Sequence, residues 1–209
     1  MKQKRRSNLL ILLGIILINF VCGYYLYKYI SYKEEVNYEI NLINDYIEND
    51  EPKEEVITEE IKEDKTEKKK DNKNYFMVIE IPKISLKKGL CKIGESCNKV
   101  SKNIEILKES DMPDKDKGNL ILASHNGNSS VSFFDKLNRL KVNDTIYIFY
   151  NKIKYEYKLN NQYEIDKVGT AVIHRDGDKN TLILITCKKH SRTKQIVYVA
   201  YLVRSEKYK

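Results

Sequence analysis

Thr181-Leu182-Ile183-Leu184-Ile185-Thr186-Cys187 is the stretch around which the rest of the chain is read. Its aliphatic residues run without polar alternation between a polar turn at 175–180 and a basic loop at 188–194, the pattern of a strand covered on both faces. Such a strand carries Thr186 and Cys187 to its exit. A thiol fixed where a rigid strand opens into a cation-rich loop has a set position and neighbours that favour the thiolate, the two needs of a nucleophile. The alternative is a buried structural cysteine, since free Cys is among the most buried residue types.

A second short apolar strand decides between the two. Residues 119–124 (N-L-I-L-A-S) follow a turn at 112–118 and end at His125. A Cys and a His far apart in sequence, each at the exit of a buried strand, can converge for nucleophilic catalysis. The other two histidines, His174 and His190, lie in polar loops and read as surface residues.

The flanking segments supply the fold. Residues 76–81 form a strand closed by Pro82, with a continuation at 84–86. Residues 145–150 and 152–159 alternate and meet at Asn151, and 163–168 and 195–203 read as further strands. After a polar loop at 126–130 with an Asn-Gly turn signal, Phe133, Phe134, Leu137 and Leu140 sit at helical spacing and predict a helix packed one-sidedly on the sheet. Many short strands, one helix and no βαβ rhythm predict a mostly β domain, a barrel or sandwich, over 75–209. Cys91 and Cys97 flank K-I-G-E-S, which admits a local disulfide and equally two free thiols. No C-x-x-C pair or zinc-spaced Cys/His cluster is present, so no structural metal is expected. Asp176 and Asp178 read as turn residues, and calcium activation is not predicted.

The N-terminal third has a different character. The 209-residue chain has a net charge of +8, but residues 1–32 carry +5 with no acid, residues 33–74 carry −7, and the remainder carries +10. Residues 1–6 form a basic tip, and from Ser7 to Tyr27 no residue is charged. About 20 apolar residues suffice to cross a bilayer as a helix, so 7–30 is predicted to be a transmembrane anchor. The preceding cations put the tip in the cytoplasm and the rest outside the cell, and Tyr24, Tyr25, Tyr27, Tyr29 and Tyr32 cluster at the far interface. A cleaved signal peptide is the competing reading, but no small-x-small site follows the apolar run. Residues 31–74 read as a charged stalk. Val36, Ile40, Ile43 and Ile47 make its first part a short amphipathic helix, and the remainder is a solvated charge run. Export argues against DNA or RNA as partner of the basic domain and favours an anionic wall polymer or lipid headgroups.

T-L-I-L-I-T-C, with N-L-I-L-A-S-H-N at 119–126, I-E-I-P-K-I at 79–84 and F-F-D-K-L-N-R-L-K-V-N-D-T-I at 133–146, resembles the sortases, membrane-anchored cysteine transpeptidases of Gram-positive bacteria. The resemblance spans about residues 75–203 and implies an eight-stranded β-barrel with one or two short helices. It also implies a reaction without a cofactor. Cys187 would attack a backbone carbonyl of a C-terminal sorting signal of LPXTG-like type, and His125 would serve as acid and base. An amine from a peptidoglycan precursor or a pilin would then resolve the thioacyl intermediate. The family's arginine opens the final strand, a register that here holds Gln195; the loop's own arginine is Arg192, which is assigned to the oxyanion, the alternative being a solvated Arg192 with Gln195 or Lys194 as the donor instead. Thr186 is expected to shape the substrate pocket, and Ser124 and Asn126 to orient His125. A non-enzymatic, membrane-anchored envelope scaffold or binding protein is the alternative function.

Overall fold

The computed structural model describes residues 2–48 and 75–208, with side chains described from residue 14 onward. The chain divides into two units, Met1–Asn41 and Leu42–Lys209. Helix α1 (Lys2–Glu48) makes up the first unit and contributes its last turns to the second.

In the first unit, Ile15, Ile16, Leu17, Ile18, Phe20 and Val21 are all exposed, an apolar surface without a covering partner among the described residues. No helix among the described residues is long and apolar enough to cross a membrane. Residues 7–13 of the expected anchor, 7–30, lie outside the described side chains.

The second unit is one eight-stranded sheet, β1 (Met77–Ile81), β2 (Leu86–Leu90), β3 (Glu105–Ile106), β4 (Asn119–Ala123), β5 (Thr145–Tyr150), β6 (Ile153–Asp166), β7 (Thr181–Cys187) and β8 (Lys194–Lys207). Their order is β2-β1-β5-β6-β8-β7-β4-β3, and the sheet curls into a nearly closed barrel. All neighbours are antiparallel except β4 and β7, which run parallel. Leu120, Leu122, Leu182, Leu184, Tyr157 and Tyr198 point into the barrel core. The opposite face of the same strands carries Ile121, Ile183, Ile185, Val197 and Val199, covered by Leu107, Ala171 and Ile173. This double covering is why β7 shows no polar alternation: six of its seven residues are buried.

A third apolar cluster lies on the outside of β1 and β5. Ile43 is fully buried there with Val78 and Phe149, and Leu42, Tyr46 and Ile47 pack beside it. The Tyr46 hydroxyl donates to the Phe76 carbonyl at 3.0 Å, and Lys87 Nζ donates to Asn44 Oδ1 at 3.1 Å. The expected short amphipathic helix is the last part of α1, and of its expected stripe Ile43 and Ile47 join this cluster whereas Ile40 is exposed. The rest of the expected stalk, residues 49–74, lies outside the described residues. Gly89 is needed where this end of the fold closes, since a Cβ there would stand 2.3 Å from the Tyr75 ring.

Three expectations are corrected by the coordinates. Residues 133–140 form no α-helix; Leu137–Arg139 is a single 3₁₀ turn, as is Pro82–Ile84. The buried residues Phe134, Leu137 and Leu140 are three apart, the period of a 3₁₀ turn, and main-chain bonds from 135 to 132, 137 to 134 and 140 to 137 follow that step. The strands expected at 152–159 and 163–168 are one strand, β6, which keeps its pairing with β8 through an irregularity at Leu159/Asn161. Residues 84–86 do not extend β1, because the chain turns through Ser85 in a left-handed conformation before starting β2. Cys91 and Cys97 are joined as a disulfide with Cα atoms 5.9 Å apart.

Candidate active site

Two strand ends build the site. In the parallel pair, Asn119 lies beside Thr181, Leu120 beside Leu182, and so on to Ala123 beside Ile185. The Ser124 N–H still donates to the Ile185 carbonyl at 3.2 Å, so the register extends past the last assigned strand residue. Carried two positions past Ala123, that register would put His125 opposite Cys187. Alternation places Thr186 and Ser124 on the inner side, where they are buried, and Cys187 and His125 on the outer side, where the thiol is half-buried and the imidazole exposed. Cys187 is a free cysteine of intermediate exposure, so it is not fully enclosed.

Hydrogen bonds beyond the ladder hold these ends. Thr186 Oγ1 donates to the Ser124 carbonyl at 2.8 Å, and Asn126 Nδ2 donates to the Cys187 carbonyl at 2.9 Å. The His125 carbonyl accepts from the Phe134 N–H at 3.2 Å, which ties the His to the loop that follows it. Neither cross-strand bond is foreshadowed by the sequence, because they depend on a parallel register between segments about 60 residues apart. Asn126, expected to orient His125, is bonded to the cysteine's own carbonyl instead. The hydroxyl of Ser124 and Oδ1 of Asn126 are buried and have no hydrogen-bond partner among the described residues.

On the other side of β7, Gln195 pairs directly with Cys187 and so shares its face. Arg192 stands in the β7–β8 turn, exposed, with no hydrogen bond or ion pair among the described residues. The neighbouring lysines are already engaged: Lys188 with Glu164 at 2.5 Å and Lys194 with Asp166 at 2.7 Å. The Asp166 carboxylate holds the Lys194 ammonium above its ordinary value. Lys189, His190 and Arg192 remain exposed in the same turn, so the rim beside the thiol is cationic. His174 is also exposed, its main-chain N–H donating to the Tyr163 hydroxyl at 2.7 Å. Asp176 and Asp178 pair with Lys179 at 3.1 Å and Lys117 at 2.8 Å, as turn residues do.

A β-barrel that presents a thiol and an imidazole at the ends of two adjacent parallel strands has the architecture of a cysteine transpeptidase. Residues 79–203 match the family model described as a sortase domain, and the chain belongs to the sortase family. It is 32% identical over 117 residues to sortase A of Bacillus anthracis, covering 56% of this chain and 54% of that protein. The chain thus spans about half the length of this curated relative. Among solved structures, it is similar to sortase A of Listeria monocytogenes at 25% identity and a TM-score of 0.54, covering 65% of this chain and 91% of that one. Sortase C1 of Streptococcus agalactiae matches at 25% identity and a TM-score of 0.53, covering 61% and 66%.

Proposed function

We propose that this chain is a membrane-anchored sortase that cuts a C-terminal sorting signal of LPXTG-like type in exported proteins and transfers the new acyl end to a cell-wall or pilin amine. The observation that supports it best is the parallel register of β4 and β7, which holds through Ser124 and Ile185 and so puts His125 and Cys187 just past the ends of two adjacent strands. The Cys187 thiolate attacks the scissile carbonyl carbon, and His125 protonates the leaving amine as the C–N bond breaks. The incoming amine then attacks the thioester, gives its proton to His125, and releases the thiolate as the C–S bond breaks. A thioester conserves the acyl group's reactivity toward an amine, so two moderate barriers replace one high one. The scheme uses no cofactor.

Arg192 is assigned to the tetrahedral oxyanion, as the arginine of the β7–β8 turn, exposed and without an ion pair among the described residues; Gln195, opposite Cys187, lines the peptide. Replacing Arg192 with alanine is expected to lower kcat about 10²-fold, as loss of an oxyanion donor does. Gln195→Ala should instead raise KM with kcat within about tenfold. Steady-state kinetics on a quenched LPXTG peptide with a glycine-peptide amine checks this, and the opposite pattern would hand the oxyanion role to Gln195.

Anchoring by residues 7–30 is supported by the uncharged run, the cations before it and the exposed apolar side chains from Ile15 to Ile30. It places the barrel outside the cell. The full chain should stay with membranes through alkaline carbonate washing, with 75–209 open to external protease in protoplasts. Release into the wash, or a protected barrel, contradicts the anchor or its orientation.

A further inference from the structure

We infer that Asn126 is a positioning residue of the catalytic pair, a side-chain rung that replaces the missing main-chain rung between the two strand ends. The inference rests on the transpeptidase reading and concerns how this chain keeps its His and Cys together where the sheet stops.

In a regular parallel ladder, a residue's N–H donates to the partner strand and its C=O accepts from two positions further along that partner. Ser124 N–H to Ile185 C=O, at 3.2 Å, is the last such rung. The next place in register is Cys187 N–H to Ser124 C=O, whose carbonyl accepts from Thr186 Oγ1, and the next donation from the β4 side would run from the Asn126 N–H to the Cys187 C=O. The bond present is from the same residue's side chain, Nδ2 to the Cys187 carbonyl at 2.9 Å. The main chain is thereby free to leave the sheet at His125 and swing toward Phe134, whose N–H takes the His125 carbonyl at 3.2 Å. The exposed imidazole needs that departure. Without a bond past Ser124, nothing in the ladder would fix the distance between the departing chain and β7.

The bond is well placed for this. It joins the residue after the His to the peptide of the Cys itself. On the inner side, Thr186 Oγ1 to the Ser124 carbonyl at 2.8 Å does the corresponding job with the residues before each of the pair. His125 and Cys187 thus sit between two crossing side-chain bonds that run in opposite directions, one from each strand. Asn126 is half-buried, and its Oδ1 lies buried without a hydrogen-bond partner among the described residues, so the amide is held by its donor end. An amide at this place accepts the cost of an unsatisfied acceptor to keep the donor where it is.

The test reads geometry at the thiol rather than bulk stability. In a Cys22→Ser background, which leaves Cys187 as the free thiol, the full chain is alkylated with iodoacetamide at fixed pH and modification of Cys187 is followed by mass spectrometry. Four forms are compared: the parent, His125→Ala, Asn126→Ala and the double variant. His125→Ala should slow alkylation. Asn126→Ala should slow it roughly five- to tenfold, the size of one ordinary hydrogen bond, and the double variant should be no slower than His125→Ala alone. On a quenched LPXTG peptide, Asn126→Ala should lower kcat with KM unchanged, and the unfolding midpoint should stay with the parent. Parent-like alkylation in Asn126→Ala, or slowing that simply adds to that of His125→Ala, overturns the inference. Asn126→Leu, close in shape but without the donor, is measured alongside; unfolding of both variants also overturns it, since Asn126 would then be framework. If His125→Ala itself leaves alkylation unchanged, the transpeptidase reading fails, an outcome separate from failure of the rung.

Discussion

Cys187→Ala is expected to abolish cleavage of a sorting-signal peptide, with a loss on the order of 10⁵-fold in kcat and little change in KM. The size follows from the role. Removing the nucleophile removes the covalent route altogether and leaves only binding and electrostatic stabilisation, which by themselves give a small remainder over water. The barrel should survive the change: Cys187 is half-buried at a strand end, its pairing with Gln195 is made by main chain, and its carbonyl bond to Asn126 does not involve the sulfur. Equal unfolding midpoints with lost turnover would therefore separate chemistry from folding. Retained turnover in this variant would remove the thioacyl route and favour the reading of the chain as an envelope scaffold.

His125→Ala is expected to lower kcat by about 10³-fold, within the range of general acid–base catalysis. The imidazole is asked for two proton transfers, one to the departing amine and one from the arriving amine, so both half-reactions should slow. Single-turnover measurement separates them. Acylation is followed by release of the downstream peptide without an amine, and deacylation by adding a glycine peptide to preformed thioester. A loss confined to one half-reaction would mean that another group carries the second proton, and the exposed His190 in the β7–β8 turn is the other histidine nearest in sequence to the thiol. His125 is exposed and its carbonyl is held by Phe134, so the substitution should leave the fold intact.

The parts of this site that could be read from residues alone are those set by local chemistry. An unbroken aliphatic run ended by a thiol can only be a strand if both faces are covered, and β7 is covered by the barrel core on one face and by Leu107, Ala171 and Ile173 on the other. The same logic located β4. What local chemistry does not contain is which strands become neighbours. The parallel pairing of β4 with β7 joins segments about 60 residues apart, and the rungs from Thr186 and Asn126 exist only because of it. Asn126 followed by Gly127 carries an ordinary turn signal, and nothing there marks the side chain as a donor to a distant carbonyl.

Two misreadings have the same origin at smaller scale. Asn160 and Asn161 look like a break, yet β6 runs through them because β8 offers an unbroken partner on that side, and the irregularity absorbs the mismatch. Phe133, Phe134, Leu137 and Leu140 suit an α-helix or a 3₁₀ turn equally by spacing; contact with the core selects the turn, in which Phe134, Leu137 and Leu140 all face inward. At the other end of the domain, the apolar stripe at 36–47 announced a helix but not that only its end, from Leu42 to Ile47, packs on β1 and β5, where Ile43 is fully enclosed.

The most direct test is to trap the intermediate. The full chain is incubated with a peptide bearing an LPXTG-type signal in the absence of amine, quenched in acid, digested and weighed. The acyl fragment should be found on Cys187 as a hydroxylamine-labile thioester, and it should accumulate more slowly in His125→Ala. A chain that cleaves the peptide while Cys187 stays unmodified, or that carries the adduct on another residue, contradicts a reaction run by a sulfur and an imidazole at these two strand ends.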